Sequence, residues 1–116
     1  MILVDTSVWI DHFRYGNAQL EELLTSSEVM IHPFIIGELA CGSMKNRKEI
    51  LGLLNELPCA DIAEHREVLK LIEDRKLYGK GTGLIDAHLI ASALISKVRL
   101  LTMDKTLARV VAILDM

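Results

Sequence analysis

The 116-residue sequence is short of the residues that make linkers. Two prolines and seven glycines are scattered along it, and no repeat or low-complexity stretch appears. With 51% hydrophobic residues it is also too apolar for a disordered chain. No apolar run approaches the roughly 20 residues of a bilayer-spanning helix. No basic stretch leading into an apolar one opens the chain, so a soluble, cytoplasmic protein with no membrane contact is the expectation. The two cysteines, Cys41 and Cys59, are too few for a disulfide framework or a cysteine zinc site; each lies in apolar sequence and is expected in the core. An excess of positive charge is missing too. Thirteen Lys and Arg against 16 Asp and Glu exclude a dedicated nucleic-acid coat, which binds by counterion release to many bases. They do not exclude an enzyme that handles nucleic acid transiently. Basic groups such as Lys45, Arg47 and Lys48, or Lys97, Arg99, Lys105 and Arg109, read as solvated faces.

What is present is one domain, residues 1–116, long enough to bury about two-thirds of its unfolded surface. Ile2-Leu3-Val4 reads as a strand buried on both faces, followed by Thr6 or Ser7 as a helix cap. Trp9, Ile10 and Phe13, then Leu20, Leu23 and Leu24, recur at helical spacing on either side of Gly16-Asn17. A strand over 28–32 precedes a helix opened by Pro33 and running to about Gly42. A helix over 50–57, a short strand over 59–62 and a helix from Val68 toward Leu77 come next. Gly79-Lys80-Gly81-Thr82-Gly83 is a loop whose glycines do not match a phosphate-cradling pattern. Residues 84–95 are apolar nearly all round and predict a buried helix. A strand over 99–102, a helix over 107–111 and a last short strand over 112–114 complete the chain. Strands alternating with helices imply an α/β fold, a parallel sheet between helical layers, with sites beyond the strand carboxyl ends.

Four acids stand out by their surroundings. Asp5 and Asp104 each follow a strand, whereas Glu38 and Asp86 sit in apolar helical sequence without an evident capping role. None has a Lys or Arg at the helical positions that would pair with it. Carboxylates in apolar sequence cost several kcal/mol to desolvate unpaired, and two unit charges about 4 Å apart repel by about 4 kcal/mol at an effective dielectric near 20. Four acids converging on one sheet edge therefore call for a cation. Oxygen donors without cysteine or a histidine pair select Mg²⁺ or Mn²⁺ over zinc, an ion suited to activating water against a phosphodiester. The histidines take plainer readings: His88 as a core or rim residue, and His12, His32 and His65 without an assignable partner. Trp9, Phe13, Phe34 and Tyr78 are expected to pack in the core.

Four blocks, in order, carry a family resemblance: Val4-Asp5-Thr6-Ser7-Val8-Trp9-Ile10, Glu38-Leu39-Ala40-Cys41-Gly42, Asp86-Ala87-His88-Leu89-Ile90-Ala91-Ser92-Ala93 and Leu101-Thr102-Met103-Asp104. Each alone is weak, but together they span almost the whole chain. The sequence resembles PIN-domain ribonucleases of the VapC type, toxins of bacterial toxin–antitoxin pairs. The resemblance implies a three-layer α/β/α PIN-like domain with a central parallel sheet. It also implies an endoribonuclease with a Mg²⁺ or Mn²⁺ site, an RNA substrate, a VapB-like antitoxin partner and a homodimer. Asp5 and Asp86 would be the metal ligands and Glu38 a further ligand or water-orienting group. Asp104 matches the family's most variable acid, and Thr6, Ser7 and Thr102 match hydroxyl positions that orient the carboxylates. Two rivals share the α/β pattern: a phospho-receiver domain, with Asp61 and Lys105 forced into its key roles, and a non-catalytic binding module. The first leaves Glu38 and Asp86 unexplained, and the intact acid set argues against the second.

Overall fold

The computed structural model describes all residues, 1–116. The chain runs β1 (Ile2–Val4), α1 (Thr6–Tyr15), α2 (Ala18–Thr25), β2 (Val29–Met30), α3 (Pro33–Ala40), α4 (Arg47–Leu54), α5 (His65–Asp74), α6 (Leu84–Ser96), β3 (Arg99–Leu101) and α7 (Lys105–Ile113). The three strands form one parallel sheet in the order β2-β1-β3. Ile2 and Leu3 face Val29 and Met30 on one side, and Arg99 to Leu101 pair with Ile2 to Val4 on the other.

Neighbouring residues on a strand point to opposite faces, yet Leu3 and Val4 are both fully buried. Helices therefore cover the sheet on both sides, which is the three-layer arrangement. The core joins these residues to Val8 and Leu20 from α1 and α2, Ile35 from α3, Leu89 and Ile90 from α6, and Leu107 and Val110 from α7. The chain leaves β1 toward β2 and later returns to β1's other side as β3. That reversal of direction opens a crevice beyond the carboxyl end of β1, the place where parallel sheets of this kind bind ligands.

Local chemistry sets the helix ends. Gly16, at φ +77°, closes α1, and the Asn17 side chain caps α2 by accepting from the Leu20 amide at 2.9 Å. Pro33 opens α3, with His32 as its cap. The guanidinium of Arg47 donates twice to the Ala40 carbonyl, at 3.1 and 2.8 Å, tying α4 to the end of α3.

Several expectations require correction. Asp5 caps α1; Thr6 and Ser7 are already helical. The strand over 59–62 is a single parallel bridge, Ile31 to Cys59, at the β2 side. Residues 112–113 finish α7 and Leu114 is its C-cap, so no strand forms there; Leu107, Val110 and Val111 bury one helical face. Cys41 and Cys59 are both exposed. Cys41 lies at the end of α3, where the chain turns outward. Cys59 alternates with buried Ala60 on extended backbone, so its side chain points away from the core. Helix α6 is buried continuously only over 87–93, while Leu84, Ile85 and Ile95 reach the surface at its two ends. Trp9 is buried and Phe13 packs against the core, but Phe34 and Tyr78 are exposed.

Candidate active site

Asp5 is the first residue past β1. Its side chain accepts from the Ser7 hydroxyl and the Thr102 hydroxyl, both at 2.8 Å, and from the Ser7 amide at 3.4 Å. All three bonds end on Oδ2, which leaves Oδ1 free of protein partners. The two hydroxyls are themselves held: Ser7 Oγ accepts from the Met103 amide and Thr102 Oγ1 from the Asp104 amide. One carboxylate thus stitches β1, α1 and the end of β3 together, and its orientation is set by all three.

Glu38 reaches the same edge from the second half of α3. Its Oε1 accepts from the Thr6 hydroxyl at 2.8 Å, leaving Oε2 open on an exposed residue. Asp104 caps α7, with Oδ1 accepting from the amides of Thr106 and Leu107 at 2.8 and 3.0 Å. Asp86 lies in the first turn of α6, half-buried. Its carboxyl is pushed above the usual aspartate range, first by burial and then by the charge of Asp5. The Gly83 backbone pulls the other way, and Asp104 and Glu38 add to the rise. The charges of the other three acids selected from sequence therefore all reach Asp86.

No cation neutralises them. The ion pairs of the molecule are Arg66 with Glu64 and Lys70 with Asp74, both elsewhere on the surface. Nor do the protein side chains form a finished metal cage: no group of three or more His, Cys, Asp or Glu is arranged to hold an ion alone. A hard divalent ion of the Mg²⁺ type commonly keeps several waters and takes one or two carboxylates. The free oxygens of Asp5 and Glu38, the raised Asp86 and the absence of sulfur or imidazole donors among the four fit such an ion.

Sequence reading missed two features. His32, left without a partner, accepts from the Phe34 amide through Nδ1 at 3.0 Å and so caps α3; a histidine before a helix-opening Pro33 was the available signal. A groove of about 620 Å³ also opens beside Glu38, between α1 and the turn from α3 to α4, and only folding brings its walls together. Asp61, needed by the phospho-receiver reading, is exposed on coil with its amide bonded to Ser96 Oγ, and it is not among the charges acting on Asp86.

Comparison with known proteins agrees with this architecture. Residues 2–113 match the PIN domain family. The chain is 49% identical over 108 residues to Ribonuclease VapC32 of Mycobacterium tuberculosis, in both strain CDC 1551 / Oshkosh and strain ATCC 25618 / H37Rv. The alignment covers 92% of this chain and 87% of the relative.

Proposed function

The chain belongs to the PIN-domain family, and from that premise we propose that it is a VapC-type endoribonuclease, the toxin of a toxin–antitoxin pair. It hydrolyses RNA phosphodiester bonds with Mg²⁺ or Mn²⁺ held among its clustered acids. The observation that carries this reading is the hydroxyl network that draws Asp5, Glu38 and Asp104 to the carboxyl end of β1, with no protein cation among them; burial and then the charge of Asp5 raise the Asp86 carboxyl at the same place. Such repulsion is a standing cost in the metal-free fold and is expected of a functional site.

Asp5 and Asp86 would hold the ion. Glu38, open at Oε2, would be a further ligand or orient the attacking water. Asp104 is peripheral, because one of its oxygens already serves the α7 amides. Bound there, the ion supplies Lewis-acid stabilisation of a phosphoryl oxygen and an acidified water. Thr6, Ser7 and Thr102 fix the carboxylates in place, so little reorganisation remains when charge develops. Incubating the purified chain, free of antitoxin, with total cellular RNA and Mn²⁺ tests the reading. Cleavage that chelation abolishes is expected, and mapping the new ends identifies the substrate. RNA left intact in the presence of Mn²⁺ overturns it.

The partner is a small antitoxin acting in the same cytoplasm. The groove beside Glu38 supports its docking along α1: Ile10, Phe13, Met44 and Ile50 offer apolar contact, and Glu38 is part of its wall. An antitoxin arginine entering there would pair bidentately with a carboxylate and compete with the metal. Expression from the native operon should yield a stable complex with a small protein. Failure to co-purify any small partner, together with harmless expression of the toxin alone, would remove this part of the proposal.

A further inference from the structure

Beside the acids lies a row of rings that hydrolysis does not use. Phe34 is in the first turn of α3, and its ring centroid is 4.9 Å from that of His88 on α6. His88 in turn stacks on His65, at the start of α5, at 6.0 Å with the planes 21° apart. Phe34 is a large apolar side chain 40% exposed, and His65 is exposed too, while His88 between them is buried.

Phe34 is held in that exposed position. His32 beneath it is fully buried, meets its ring edge-on at 5.1 Å, and fixes its backbone by accepting from the Phe34 amide. The ring is therefore clamped between two histidines instead of moving freely in solvent. Its place relative to the acids follows from helix geometry. Phe34 and Glu38 are four residues apart, hence on one side of α3 and about 6 Å apart along its axis. His88, two residues after Asp86 on α6, points to a different side of that helix, so the link between rings and acids runs through Phe34 and Glu38 on α3.

We infer that the Phe34–His88–His65 ring array is a stacking platform for a base of the RNA substrate, next to the bond that is cut. The occupant follows from the chemistry of the position. Single-stranded RNA is recognised by stacking unpaired bases on aromatic and histidine rings. Such contacts need no positive stripe, which suits a chain of net charge −3. A pre-positioned ring also loses little entropy when a base covers it. This inference rests on the ribonuclease reading and adds to it a determinant of where on RNA the enzyme acts.

The test uses the full chain and a single-stranded RNA oligonucleotide bearing a cut site mapped with wild type, with 2-aminopurine replacing each base around that site in turn. In chelator, wild type should quench the fluorophore at one position. Phe34→Ala should abolish that quenching, weaken binding on the order of ten-fold, raise KM more than it lowers kcat, and shift the mapped ends. Phe34→Trp should restore all four. Phe34→Leu, which keeps apolar packing without a π-face, should behave like the alanine variant, and His65→Ala should give a smaller change of the same kind. Thermal melts establish that the variants are folded.

A wild type that cuts no RNA overturns the activity and the platform with it. A wild type that cuts while Phe34→Ala and Phe34→Leu bind, quench and cut as it does overturns the platform alone. So does retained quenching in a Phe34→Ala protein whose only change, by sedimentation, is its oligomeric state, since the ring would then be a contact between copies of the chain.

Discussion

At the scale of single residues, the half-buried Asp86 and the buried His32 act on stability with opposite sign. Asp86 has a carboxyl raised by burial and by its acidic neighbours. The folded, metal-free protein thus retains its proton over a pH range where the unfolded chain has released it, and stability falls as pH rises through that range. Asp86→Asn removes this fall. At neutral pH without metal the variant should be as stable as wild type or more so, by about 1 kcal/mol, while RNA cleavage drops by orders of magnitude. Denaturant melts beside a cleavage assay decide it, and a strongly destabilised variant would mean that Asp86 supports the fold instead. His32 works the other way. Burial, followed by the charge of His88, lowers its pKa from 6.5 to about 4. Its contribution is fully present above pH 6.5 and is lost as pH falls toward 4, by up to on the order of 3 kcal/mol. His32→Asn keeps a cap acceptor for the Phe34 amide but does not titrate there. Melts at pH 7, 6, 5 and 4.5 should show a shallower acid loss for the variant, whatever its stability at pH 7. Burial lowers His88 as well, so some acid dependence should persist.

At the scale of elements, the site is built from the ends of helices and strands, and those ends do two jobs. Asp104 caps α7 with one oxygen and acts on Asp86 through its charge. Asn caps a helix as well as Asp does, whereas Ala does not. Asp104→Asn should therefore melt within a few tenths of a kcal/mol of wild type, and Asp104→Ala should lose about 1 kcal/mol. Comparing RNA cleavage in the two variants separates the charge from the cap. If Asp104 only caps, the Asn variant stays fully active. The elements themselves were readable to different degrees. Helices over 6–15, 33–40 and 84–96 carry their spacing or their stop signals in plain view. The short segments over 59–62 and 112–114 do not, since three or four apolar residues suit a strand or a helix end equally well. Neighbouring backbone decides between them: Cys59 finds Ile31 for one bridge, and residues 112–113 complete α7.

At the scale of the whole molecule, metal binding and folding should be linked. An ion that binds the folded acids and not the unfolded chain stabilises by about 2.7 kcal/mol when present at 100 times its dissociation constant. Millimolar Mn²⁺ should therefore raise the thermal midpoint of wild type and leave Asp5→Asn/Asp86→Asn nearly unmoved, with calorimetric titration reporting the binding directly. No Mn²⁺ binding at millimolar concentration would count heavily against the site. The homodimer implied by the resemblance has a direct measure in analytical sedimentation of the chain without its partner.

Sequence alone determined that this is a single α/β chain with a parallel sheet, because apolar runs and helical periodicities alternate and resist other readings. It also singled out Asp5, Glu38, Asp86 and Asp104, because a carboxylate in apolar sequence without a nearby base is costly and so conspicuous. Thr6, Ser7 and Thr102 were legible as site residues only through the family's motifs, and the structure supplies their partners: Thr6 bonds to Glu38, and Ser7 and Thr102 bond to Asp5. Tertiary structure alone decided what depends on approach between distant segments. It placed Thr102 beside Asp5 across 97 positions of chain, turned Cys41 and Cys59 outward, and lined up Phe34, His88 and His65 from three helices. Periodicity reports which side of an element is apolar. It carries no record of which other element will lie against that side, and a site made of element ends is assembled only when they meet.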